Sequence, residues 1–73
     1  MKKFIAKDKI MNLPIGHSID WKFGLITRDV YRMSEDKFDI TETCGGWVNA
    51  IVDKQTMQDI LDGKISLLEL DWF

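Results

Sequence analysis

Apolar and polar residues alternate most cleanly along HSIDWKFGL. Ile19, Trp21, Phe23 and Leu25 fall on one side of an extended chain there, and Ser18, Asp20 and Lys22 on the other. A period of two is the mark of a half-buried strand, because successive side chains point to opposite faces of a sheet. Gly24 interrupts the run and predicts a bulge or a bend. LITRDVYRM continues with β-branched and aromatic residues, its apolar groups divided between both faces. SEDK reads as a polar turn, and FDITET alternates again through Phe38 and Ile40, so two strands around a short turn form a hairpin. WVNAIV suits a fourth strand.

The period then changes. In VDKQTMQDILDGK the apolar residues Met57, Ile60 and Leu61 recur at helical spacing. Asp53 is placed to cap the first turn by accepting a backbone N–H. Val52 before it and Met57 after it are spaced for a hydrophobic staple, and Gly63 suits the left-handed residue that closes a helix. The expected helix covers Lys54 to Asp62.

Two segments are open to more than one reading. KDKIMNL fits either a short helix capped by Asp8 or the end of an edge strand that begins at KFIA; Pro14 predicts an extended Leu13 in both cases. In ISLLELDWF, Leu68, Leu70 and Trp72 alternate with Glu69 and Asp71 as in a strand, yet Ser66 to Glu69 also fits a capping box. The whole predicts an α+β fold in one compact domain, residues 1–73: a small antiparallel sheet of three or four strands with one helix packed on a face. No repeat, low-complexity run or linker divides it.

At 73 residues the core is small, since a chain of this length hides only about 60% of the surface its unfolded form exposes. Cys44 has no partner, so no disulfide supports the fold. One cysteine and one histidine cannot supply the usual zinc ligands, so neither metal nor cofactor is expected. Three tryptophans, four phenylalanines and 45% apolar residues make a packed core credible, and a homodimer is the other route to stability. In MKKFIAKDK the charges recur too early for a signal peptide, and no stretch approaches the ~20 apolar residues that span a bilayer. The expected location is the cytoplasm, without a membrane partner.

The net charge of −2 is unevenly spread. Lys2, Lys3, Lys7 and Lys9 oppose only Asp8 at the start, whereas the last third is acidic. This is neither the basic stripe of a duplex-DNA binder nor the acidity of a DNA mimic.

The stretch most like a site is TETCGGWVN. A reactive thiol needs a nearby cation, histidine or helix N-terminus to lower its pKa, and His17, the only histidine, is distant in sequence. No lysine and serine follow the glycines, as a phosphate loop would require. The favoured reading is a turn in which Gly45 and Gly46 supply positive φ and Cys44 is a small apolar side chain. His17 and Ser18, adjacent on an extended segment, point apart and make no dyad. Asp20, Asp29, Asp36, Asp39 and Glu42 sit where strands face water or turns need solubility. No catalytic residues are expected, and the chain reads as a non-enzyme.

Arg28 and Arg32 share one face of the second strand, on either side of Val30. Together with Lys2, Lys3 and Lys7 they would form a basic patch for weak nucleic-acid binding. The favoured reading for the arginines is cross-strand pairing with acids such as Asp39 or Glu42.

The aromatic residues point elsewhere. Trp21 and Trp72 are expected to fill the core, while Trp47, beside the glycines, is the best candidate for an exposed anchor, and tryptophan is over-represented at interface hot spots. The leading expectation is therefore a protein-binding module that regulates or inhibits a larger protein complex. Its contact surface would comprise Trp47, Trp72, Phe73, Asp71 and Glu69. Small motif-free chains of this character include viral and mobile-element accessory inhibitors, and the alternative is the nucleic-acid binder.

Overall fold

The computed structural model describes residues 4–23, 26–42 and 46–73. In chain order the elements are α1 (Phe4–Met11), β1 (Ser18–Phe23), β2 (Ile26–Ser34), β3 (Lys37–Glu42), β4 (Val48–Asp53), α2 (Lys54–Leu61) and a 3-10 turn, Leu67–Glu69. The four strands form one antiparallel sheet in the order β1-β2-β3-β4. Glu35 and Asp36 make the turn of the β2–β3 hairpin, and the register shifts by one between Arg32 and Ser34.

Strand alternation sorts the side chains onto two unlike faces. On one, Val30 stands between Ile19 and Ile40, and Ile40 stands beside Ala50. Phe38 lies between Arg32 and Val52 on the same side. Trp21, Val30, Phe38, Ile40 and Val52 join Ile10 from α1 and Met57 and Ile60 from α2 in a single buried cluster. Lys7 and Asp62 form an ion pair between the two helices. The other face carries Asp20, Asp29, Tyr31, Asp39, Thr41, Asn49 and Ile51, none of them fully buried. The sheet is therefore covered on one side and open on the other.

Helix α2 begins and ends by the predicted local chemistry. The Asp53 carboxylate accepts from the Thr56 N–H at 2.8 Å. Val52 and Met57, the two ends of the staple, are both buried. At the other end Gly63 takes φ +82°. Its N–H donates to Ile60 O and that of Lys64 to Asp59 O, which satisfies carbonyls the last turn leaves unpaired.

The fold departs from expectation in two places and settles both open readings. Among the described residues there are two α-helices where the expected architecture has one: KDKIMNL takes the helical of its two readings, but α1 runs from Phe4, so Asp8 lies within it and its carbonyl accepts from Asn12 N–H. Glu42 does not face water on the open side; it lies on the covered side, opposite Arg28 and Val48. Of the two readings of the tail, the capped short helix is the one that forms. Ser66 and Glu69 close a capping box around the 3-10 turn, after which the chain runs on to pair with β4. The bend expected at Gly24 lies outside the described residues.

Candidate functional site

Arg28 and Arg32 share a face, as their spacing predicts, and that face is the covered one. Only 8% and 7% of their surfaces remain exposed. The Arg32 guanidinium reaches across the hairpin end toward the chain that leaves α1. Its Nη1 donates to Leu13 O at 2.8 Å and more distantly to Met11 O at 3.5 Å, its Nη2 to Glu35 O at 2.7 Å and its Nε to Ser34 O at 3.0 Å. It also lies over the Phe38 ring, 4.9 Å from the centroid. A planar fork with five donors suits such a cluster of carbonyls, and an ammonium does not. Arg32 thus joins the first helix to the hairpin.

Arg28 donates from Nε to Glu42 Oε1 at 3.1 Å and lies 6.0 Å from the centre of the Trp21 ring. Its Nη1 is buried with no partner among the described residues. Of the lysines grouped with these arginines, Lys7 pairs with Asp62, while Lys2 and Lys3 lie outside the described residues. The structure does not bring the two arginines to a common exposed patch. Cys44 and Gly45 also lie outside the described residues; Gly46 takes φ +142°, a conformation that side chains disfavour. His17 is exposed, and its carbonyl accepts from Arg32 N–H, extending the β1–β2 pairing.

The predicted contact residues separate into two groups. Trp72 packs against the core and donates from its indole N–H to Leu67 O at 2.9 Å. Glu69 is held by the capping box, with its side chain on the backbone N–H of Ser66. Asp71 is exposed. Of the predicted contact residues, Trp47 and Phe73 are outward-facing aromatics, 79% and 69% exposed. Phe73 reaches the start of β4, where it exchanges backbone hydrogen bonds with Asn49, two residues beyond Trp47. Leu68 is 91% exposed on the preceding 3-10 turn.

Trp47 also lines a shallow recess of about 220 Å3 with Asp20, Thr27, Arg28, Asp29 and Thr41. Asp20 and Asp29 are direct cross-strand partners, which sets two carboxylates side by side, with Cβ atoms about 4.5–5.5 Å apart. Partial burial raises the pKa of Asp29 above the usual carboxylate range, and the hydrogen bond and negative charge of Asp20 raise it further. In the same row Asn49 Nδ2 donates to Thr41 Oγ1 at 2.8 Å, and it also reaches Asp39 Oδ1 in the next row at 3.0 Å. Tyr31, Met33 and Ile51 are exposed on the same strands. The sequence marked Asp20 and Asp29 as solvated positions and Asp39 also as a partner for the arginines, but Asp39 stands opposite Tyr31 on the other face from them, and of the two expected acids only Glu42 pairs with Arg28. Pairing of β2 with β1 on one side and β3 on the other is what gathers the three aspartates on one face, and no local pattern records that pairing.

No protein-family model matches this chain, and neither a curated protein nor a solved structure is significantly similar to it.

Proposed function

We propose that this chain is a small cytoplasmic protein-binding module that regulates or inhibits a larger protein complex by occupying part of its surface, in the manner of viral and mobile-element accessory inhibitors. The observation that carries this reading is the position of Trp47. Its indole is 79% exposed, although the same chain encloses Trp21 and packs Trp72 against the core. A large apolar side chain left in water costs solubility and adds nothing to the fold, whereas in an interface it is a strong source of binding energy. Phe73 beside it and Leu68 nearby on the chain enlarge the apolar area. Asp71 adds charge at the rim. Among the described residues no helix is long and apolar enough to cross a membrane. The nucleic-acid alternative draws no support from the arginines, whose donors are directed at Glu42 and backbone carbonyls.

The test is a pull-down from cell lysate with tagged wild-type protein and tagged Trp47→Ala, each with and without nuclease. The expected result is a defined set of proteins kept by the wild type after nuclease and lost by the variant. Equal retention by both removes Trp47 as the anchor. Loss of everything on nuclease treatment transfers the case to nucleic acid.

A further inference from the structure

The sheet places both helices' core residues on one side. The other side exposes Tyr31 and Ile51, and its edge meets the Trp47 recess. Carboxylates outnumber cations at the register positions of this face: Asp20, Asp29 and Asp39 are acidic, and Lys22, opposite Thr27, and Lys37 are basic. The cation Lys37 stands opposite Asp53, which already offsets it. The acids occupy two neighbouring rows, about 7 Å apart along the strands.

This combination discriminates among occupants. A second copy docked face to face would set the same three carboxylates against their equivalents, and like charges brought together are unfavourable. A phosphate backbone would be repelled in the same way. A protein segment bearing lysine or arginine beside apolar side chains meets the opposite situation. Its cation would turn the repulsion between Asp20 and Asp29 into attraction on both sides, with the Trp47 indole as a further wall for a cation–π contact. Its apolar groups would cover Tyr31 and Ile51.

We propose that the open face of the sheet, from the Asp20–Asp29 pair and Trp47 to Asp39, Tyr31 and Ile51, docks a lysine- or arginine-bearing segment of a partner protein. The inference rests on the protein-binding reading and names the chemistry of the partner.

The test is selection of displayed random peptides on the intact wild-type protein. Selected peptides are then measured against Trp47→Ala and against the triple variant Asp20→Asn, Asp29→Asn, Asp39→Asn. Amide shifts are recorded on the labelled wild type. The triple variant keeps an acceptor for Asn49 at position 39 and removes the charge repulsion, so it is expected to fold. The expected result is enrichment of lysine and arginine next to apolar residues, with amide shifts at Asp29, Tyr31, Thr41 and Asn49. Affinity should fall about tenfold on the triple variant, three rim charges being lost. It should also weaken from about 0.1 M to about 1 M salt, as the screening length drops from about 10 Å to about 3 Å.

Peptides without excess basic residues, bound equally by the triple variant but lost on Trp47→Ala, overturn the acidic-face inference and leave the protein-binding reading standing. A concentration-dependent dimer that protects this face from hydrogen exchange overturns it in favour of a second copy. Failure to enrich any peptide also overturns it, and the pull-down then decides the broader reading alone.

Discussion

Asn49 and Phe73 exchange a pair of backbone hydrogen bonds, each 2.9 Å, so the last residue of the sequence lies alongside β4. The Asn49 side chain meanwhile bonds Asp39 and Thr41 across the open face. One residue therefore fixes both the aromatic corner and part of the acidic row. Deleting Phe73 is expected to cost about 1–2 kcal/mol, since two exposed backbone bonds are lost and little apolar area was buried. The Asn49 amide should then exchange faster while circular dichroism keeps its native form. Global unfolding would place Phe73 in the framework of the fold and remove it from the contact surface.

Trp47 and Trp21 are expected to respond in opposite ways to truncation. Trp47→Ala should leave stability within about 0.5 kcal/mol, as at most surface sites away from special contacts. Trp21→Ala, which empties part of the core, should cost about 3–5 kcal/mol. Thermal denaturation of the two variants side by side gives the comparison.

Arg32 should tolerate no replacement. Arg32→Met leaves the Leu13, Ser34 and Glu35 carbonyls without their donor, at about 1–3 kcal/mol for each one that water does not reach. Arg32→Lys should recover little, because a single ammonium cannot span carbonyls from both sides of the hairpin end. A Lys variant with wild-type Tm would show that charge alone holds this joint.

The Arg28–Glu42 pair should be costly to halve and cheap to replace whole. Glu42→Gln leaves a buried guanidinium without its counter-charge, a loss of about 3–5 kcal/mol. The double variant Arg28→Met, Glu42→Leu should regain most of that, since apolar side chains of similar size need no solvation. Additive losses in the denaturant midpoint would contradict the coupling.

Two aspartates should give opposite pH responses. The pKa of Asp29 is raised in the fold, by partial burial first and then by Asp20. Its contribution is therefore fully present below the ordinary value of 3.8 and is lost as pH rises through the folded pKa. Asp29→Asn should raise Tm at neutral pH, with the gain shrinking on acidification. The pKa of Asp53 is lowered, mainly by the hydrogen bonds from Thr56. Its contribution is present above 3.8 and is lost as pH falls through the folded pKa. Asp53→Ala should lower Tm at neutral pH, and the difference from wild type should vanish in acid. Tm recorded against pH for both variants tests both signs.

Local chemistry was readable in the sequence wherever a few neighbouring residues suffice. Asp53, the Val52–Met57 staple and Gly63 delimit α2 because capping groups act within one turn. The alternation from Ser18 to Trp21 and from Phe38 to Ile40 marks strands because side chains must point to alternate faces. The hairpin turn at Glu35–Asp36 and the exposure of Trp47 follow from the same short-range rules. The capping box at Ser66 was legible as one of two readings, but the docking of Phe73 on Asn49 was not, since its partner lies 24 residues earlier.

Tertiary structure decided everything that depends on which face is covered. Spacing alone put Arg28 and Arg32 on one side of a strand, and either side was compatible with it. Helices α1 and α2 settle on that side because Ile10, Met57 and Ile60 bury apolar area there, which turns two surface cations into interior joints. The same packing leaves Asp20, Asp29 and Asp39 on the bare side, brought together by strand register across nineteen residues of sequence from first to last. Periodicity tells a strand that it has two faces; only the burial of a distant helix tells it which one is inside.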